Sequence, residues 1–136
     1  MKVLQFGFGE DLQTTIHMPH NFNDNNCIVY TGTHDNNTTR GWYQDDINKP
    51  TKARIANYLG NPINKKTIAP QLIRLAMMST ANVAIIAMQD LLNQPSAARM
   101  NVPASVDNNW TWRLRKNVID DKFKTKMLQM IKLYNR

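Results

Sequence analysis

The chain has 136 residues, 42% of them hydrophobic, which is enough for one modest core and too little for two independent domains. No run approaches the roughly 20 uncharged apolar residues that span a bilayer, and the opening MKVLQFGFGED lacks the order of a signal peptide, so the expected setting is the cytoplasm, away from membrane. A net charge of +7 and a pI near 9.8 permit attraction to phosphates, but charge alone names no nucleic acid partner.

Val3-Leu4-Gln5-Phe6 is the first short apolar run, closed by glycine and polar residues, and it predicts a buried strand ending in a loop. Cys27-Ile28-Val29-Tyr30 predicts a second. Cys27, the single cysteine, has no internal disulfide partner and is expected to be a small buried hydrophobe. A helix is expected from Pro50 to Leu59, stopped by Gly60. Another runs from about Pro70 to Thr80, with Leu72, Ile73, Ala76 and Met77 on one face. Val83-Ala84-Ile85-Ile86-Ala87 supplies a third strand. Phe123, Met127, Met130, Ile131 and Tyr134 then recur at helical spacing, so Lys122, Lys124, Lys126 and Lys132 read as the solvated face of a terminal amphipathic helix capped by Asp120 or Asp121. With Arg113, Arg115, Lys116 and Arg136 these lysines hold much of the basic excess, and a solvated face needs no nucleic-acid surface. Met77, Met78, Met127 and Met130 are expected in the core.

Strands alternating with helices favour a parallel α/β sheet with helical crossovers. Three strands cannot close a barrel, which takes about 250 residues. No helix precedes the first strand to cover it, so an N-terminal portion is expected to be missing, and residues 1–136 are expected to form one incomplete unit.

The densest set of hydrogen-bonding side chains is Tyr30-Thr31-Gly32-Thr33-His34-Asp35-Asn36-Asn37-Thr38-Thr39-Arg40-Gly41-Trp42. It follows the second strand directly, at the edge where parallel α/β folds build their sites. Asp35 can accept bonds from vicinal hydroxyls, His34 can donate another, and Trp42 offers a ring face for a sugar. The bland alternative is a loop whose polar groups cap the next helix.

YTGTHDNNTTRGWY resembles the Y-T-G-T-H-D-N-D-T-T-x-G-W string of the 4-α-glucanotransferase (amylomaltase, or disproportionating enzyme) family. MKVLQFGF, Met18-Pro19-His20-Asn21-Phe22, Gln89-Asp90, Ala98-Arg99-Met100-Asn101-Val102-Pro103 and Asn109-Trp110-Thr111-Trp112-Arg113 resemble further family strings in the same order. Several unusual strings in register are far more specific than one motif.

The resemblance implies the C-terminal three strand/helix units of a (β/α)8 TIM barrel. It also implies a retaining transfer of α-1,4-glucan segments between maltooligosaccharides, or from starch- or glycogen-derived glucan, with no cofactor. An aspartate nucleophile and a glutamate acid/base about 5 Å apart would form and resolve a covalent glycosyl-enzyme intermediate, and a second aspartate would stabilise the charged sugar. Asp35 matches that stabiliser, and His34 matches its sugar-binding neighbour. Neither the nucleophile nor the acid/base has a match, so the chain alone is expected to be inactive. The alternative is a non-catalytic glucan-binding remnant, or a piece that complements the missing N-terminal barrel portion.

Asn37 departs from the family aspartate, Asn108 from a glycine, and Asn93 to Ser96 from a glycine-containing loop. His17, His20 and His34 with Asp35 have poor spacing for zinc, and no metal is expected. His20 is read as loop-organising or sugar-contacting. Asn109 is read as a substrate contact, with loop hydrogen bonding as the alternative. Arg99 is expected to tie loops together, and Trp42, Trp110 and Trp112 are individually expected to pack.

Overall fold

The computed structural model describes residues 1–136. Three short strands, β1 (Lys2–Val3), β2 (Ile28–Tyr30) and β3 (Val83–Ile85), pair in the order β1-β2-β3. Both pairings are parallel, with Lys2 opposite Val29 and Ile28, Val29 and Tyr30 opposite Val83, Ala84 and Ile85. The fold is thus mixed α/β. The β2–β3 crossover carries α1 (Thr39–Gly41) running into a π-helical turn (Trp42–Asp46), α2 (Lys49–Leu59) and α3 (Ile68–Met78), while α4 (Met88–Leu91) and α5 (Asp121–Leu133) follow β3.

Local chemistry sets the helix ends. Asn48 accepts from the Thr51 amide to open α2, with Pro50 early in the helix where its missing N–H is harmless. Gly60 closes α2 at φ 70°, a left-handed position that glycine takes without strain. Asp120 caps α5 by accepting from the Phe123 amide, as the spacing predicts.

α3 is the core helix. Its Ile68, Ala69, Leu72, Ile73, Leu75, Ala76 and Met77 are all buried. Leu72, Leu75 and Ala76 join Leu4, Phe8, Met18, Val29, Trp42 and Ile55 in one cluster. Each fully buried side chain of leucine or isoleucine size contributes about 1.5–3 kcal/mol. Trp42 packs as expected.

Four expectations change. β1 ends at Val3, and Leu4–Phe8 coil as a 3-10 turn that buries Leu4, Gln5, Gly7 and Phe8. A strand would have sent Leu4 and Phe8 to one face and left Gln5 on the other, whereas the coil serves both the core and a polar contact to Asn37. The sheet is covered on one side only: Ile28, Val83 and Ile85, opposite in pleat to Val29 and Ala84, are exposed, because one helical layer cannot cover two faces. Cys27 is half-buried just before β2, rather than buried within it. Met78 points outward, one residue past the inward-facing Met77, while Met127 and Met130 are half-buried on the stripe that α5 turns inward.

α5 lies against α3. The Arg74 guanidinium donates to the Tyr134 hydroxyl at 2.9 Å, and Arg136 reaches carbonyls at the end of α3, including Met77 O at 2.9 Å and Ser79 O at 2.6 Å. Its lysines face outward, the solvated face read from the sequence. No helix is long and apolar enough to cross a membrane.

Candidate active site

β2 delivers the Thr31–Thr39 turn to the C-terminal edge of the sheet, where it borders a cavity of about 500 Å³. Thr33, His34, Asp35, Asp90, Arg99 and Trp110 are among its lining. The apex of the turn is closed internally: the Asn36 side-chain carbonyl accepts from the Thr33 amide at 2.9 Å and its hydroxyl at 2.8 Å. Asp35 therefore projects from a braced turn with its side chain half exposed.

The segment Arg99–Asn101 holds Asp35 from the other side. Asn101 Nδ2 donates to Asp35 Oδ1 at 2.6 Å, and the Arg99 guanidinium donates to the Asp35 carbonyl at 2.7 Å and to the Asn101 carbonyl at 2.8 Å. Arg99 is the loop tie its donor set suggests. His34 Nε2 lies 3.4 Å from Asp35 Oδ1, and the Trp110 ring sits over the His34 ring at 5.1 Å and 36°. Trp110 is half exposed at φ 61°, so it caps the cavity instead of packing in the core. Asp35 Oδ2 carries no hydrogen bond within the chain, which leaves one acceptor facing the cavity.

His20 and Asn109 lie elsewhere. His20 Nδ1 meets the Tyr58 hydroxyl at 2.9 Å, and its Nε2 meets Asn21 at 3.1 Å, an arrangement that organises the loop after β1. Asn109 accepts from the Val102 amide at 2.8 Å and donates to Ser105 O at 2.9 Å, so both ends of its amide are engaged in its own loop. His17 has a structural role, since its Nδ1 accepts from the Val3 amide at 3.1 Å and shields the outer edge of β1. Burial, then the positive charges of Lys2 and the N-terminus, lower its pKa and favour the neutral form that this bond requires. The three histidines thus serve three separate sets of partners.

The departure at Asn37 has a physical reason. Asn37 is buried and donates from Nδ2 to Asp46 Oδ1 and Ser96 Oγ, both at 3.2 Å, while the Ser96 hydroxyl also donates to Asp45. An aspartate here would place a carboxylate beside Asp46, whereas the amide supplies the donor. Gly41 is close by, and a Cβ on it would collide with Asn37 Oδ1 and Ser96 Oγ, so the turn into α1 requires glycine.

Two residues of the site are missed by reading the sequence. Asn101 stands in a family string, but only Arg99 of that string invites a role. Asp90 is 2% exposed and accepts from the Thr31 hydroxyl at 2.5 Å, the Thr39 amide at 2.7 Å and the Thr39 hydroxyl at 2.8 Å. The signal available for both is their place in strings that resemble the family's, Gln89-Asp90 and Ala98 to Pro103.

A sequence profile of the family described as 4-alpha-glucanotransferase matches residues 1–119. The chain belongs to the 4-alpha-glucanotransferase family. It is 47% identical over 114 residues to the chloroplastic/amyloplastic 4-alpha-glucanotransferase of Solanum tuberosum, covering 84% of this chain and 19% of that protein. It is 37% identical over 136 residues to the 4-alpha-glucanotransferase of Clostridium butyricum, covering 100% of this chain and 27% of that protein. Among solved structures it is similar to the amylomaltase from Streptococcus agalactiae in complex with acarbose, with TM-score 0.89 and 34% identity over 100% of this chain and 27% of that one. This member of the 4-alpha-glucanotransferase family therefore spans about a quarter or less of the length of these relatives.

Proposed function

We propose that the chain supplies the stabilising-carboxylate side of a 4-α-glucanotransferase site, as the last three units of a (β/α)8 barrel. The complete site transfers α-1,4-glucan segments between maltooligosaccharides with retention. The observation that carries this reading is Asp35: one carboxylate oxygen is held by Asn101, and the other has no partner within the chain, at a cavity that His34 and Trp110 also line. A free carboxylate oxygen accepts from the hydroxyls of a sugar, and the carboxylate's charge favours the positive charge that builds on the ring. His34 donates beside it, and the Trp110 ring covers the apolar face of the same sugar. Asn109 meets glucan only after the bonds within its own loop are released, and His20 shapes the loop after β1.

Retaining transfer needs two further carboxyl functions, a nucleophile and an acid/base about 5 Å apart. The cavity is lined by two carboxylates, Asp35 and Asp90, and Asp90 is buried and engaged by three donors. The 136 residues alone therefore bind glucan but do not transfer it. The remaining barrel portion is the partner, seated on the exposed face at Ile28, Val83 and Ile85 and on the outer edge of β3. We place the activity in the cytoplasm, on maltooligosaccharides made from starch or glycogen.

The test is co-expression with the preceding three quarters of the Clostridium butyricum relative, with assembly checked by size exclusion. Maltotriose should then yield glucose and longer oligosaccharides, and Asp35→Asn should remove most of that yield. An assembled complex whose activity ignores Asp35→Asn would overturn the assignment.

A further inference from the structure

The turn that presents His34 and Asp35 begins with Thr31, the residue directly after β2, and ends with Thr39, the first residue of α1. Both threonines are fully buried. Both send their hydroxyls to Asp90 Oδ2, at 2.5 and 2.8 Å, and the Thr39 amide donates to Asp90 Oδ1 at 2.7 Å. Gln5 adds a brace from the β1 side, donating to Asn37 O at 3.0 Å. The Asp90 carboxylate has no ion-pair partner; the contacts of basic with acidic side chains are His34–Asp35 and Lys124–Asp121. Burying a charge without a cation is costly, and three donors aimed at one carboxylate are what make it tolerable. A residue serving only to fill space there would be apolar.

We propose that Asp90 is the positioning residue of the Asp35 turn, its one carboxylate tying the first and last residues of the turn to each other and to the start of α4. Asn101 and Arg99 hold the apex, and Asp90 holds the base. The spread of the turn's two ends, and through it the direction in which Asp35 and His34 point, is set by a side chain 55 residues further along the chain than Asp35. Burial raises the Asp90 pKa while the bonds from Thr31 and Thr39 oppose the rise, consistent with a carboxylate held in place by its donors. The inference rests on reading Asp35 as the carboxylate of the site, but its test uses no glucan.

The experiment is amide exchange on the 136-residue chain, together with the ring carbon–proton signals of His34. Asp90→Ala should speed exchange in residues 31–39 about tenfold or more, which is ~1.4 kcal/mol, and shift the His34 signals, while the amides of α3 keep their protection. Asp90→Asn should fall between, since both threonine hydroxyls can turn to accept from its amide while its carbonyl takes the Thr39 amide. Thr31→Val, which keeps the bulk and removes one donor, should shift the same signals by a smaller amount. It also decides the matter if Asp90→Ala does not fold. Unmoved exchange at 31–39 with unmoved His34 signals would refute the proposal, as would an equal rise throughout α3 in every variant. Should these shifts occur while glucan binding fails, the functional reading falls and the role of Asp90 in the turn stands.

Discussion

Replacing Asp35 by asparagine tests the site at one atom. Asn101 Nδ2 donates to Asp35 Oδ1 at 2.6 Å, so the substituted amide must turn its own carbonyl oxygen to that donor. Its Nδ2 then occupies the place of the free Oδ2, and the acceptor facing the cavity becomes a donor. The sugar loses a charge-assisted hydrogen bond, about 1.5–3 kcal/mol, and the charge that would favour the transition state goes with it. At ~1.4 kcal/mol per factor of ten, transfer should slow by about 10- to 150-fold or more. Stability should barely change. The Asp35 side chain is 50% exposed, and its contact with the 55% exposed His34 is a surface contact of little worth. The assay is initial-rate transfer from maltotriose by the completed barrel, paired with a thermal melt. Combining Asn101→Asp with Asp35→Asn offers the new amide an acceptor and frees its carbonyl for the cavity, so part of the loss should return. Parent-level transfer by Asp35→Asn with an unchanged melt would refute the reasoning, and so would a double variant no better than the single one.

The 136-residue chain alone should leave maltotriose unchanged on long incubation, checked by chromatography of the sugars; glucose and longer products from pure protein would show that it holds a complete catalytic set. It should also self-associate, because Ile28, Val83 and Ile85 lie exposed on a sheet whose β3 edge is unpaired; a monodisperse monomer on size exclusion at high concentration would contradict this. Burial raises the Asp90 pKa above its ordinary 3.8, so its contribution to stability is fully present below that value and is lost as pH rises through the raised one. Acidifying from neutral should therefore move the melting temperature of the parent upward relative to Asp90→Asn, with the His17 titration common to both; a gap independent of pH would sink the prediction.

Features that act over a few residues were legible in the sequence. Gly60 and Asp120 mark the ends of their helices because a left-handed glycine and an N-cap carboxylate need only neighbours within the same turn. The α3 face through Leu72, Ile73 and Ala76 follows from period alone, and the string from Tyr30 to Trp42 placed Asp35 and His34 beyond a strand and within reach of a family. The rest depended on contacts between distant segments. The β1 run looks like a strand in isolation, but core and polar contacts at Phe8 and Gln5 coil it into a tighter turn. Nothing in one strand's pattern tells how many faces will be covered, so the exposure of Val83 and Ile85 had no local sign. Thr31 and Asp90 are 59 residues apart, and Asp35 and Asn101 are 66 apart, yet each pair shares a hydrogen bond. Such partners are chosen by the parallel sheet, which brings the ends of β2 and β3 side by side and leaves their loops to meet over one cavity.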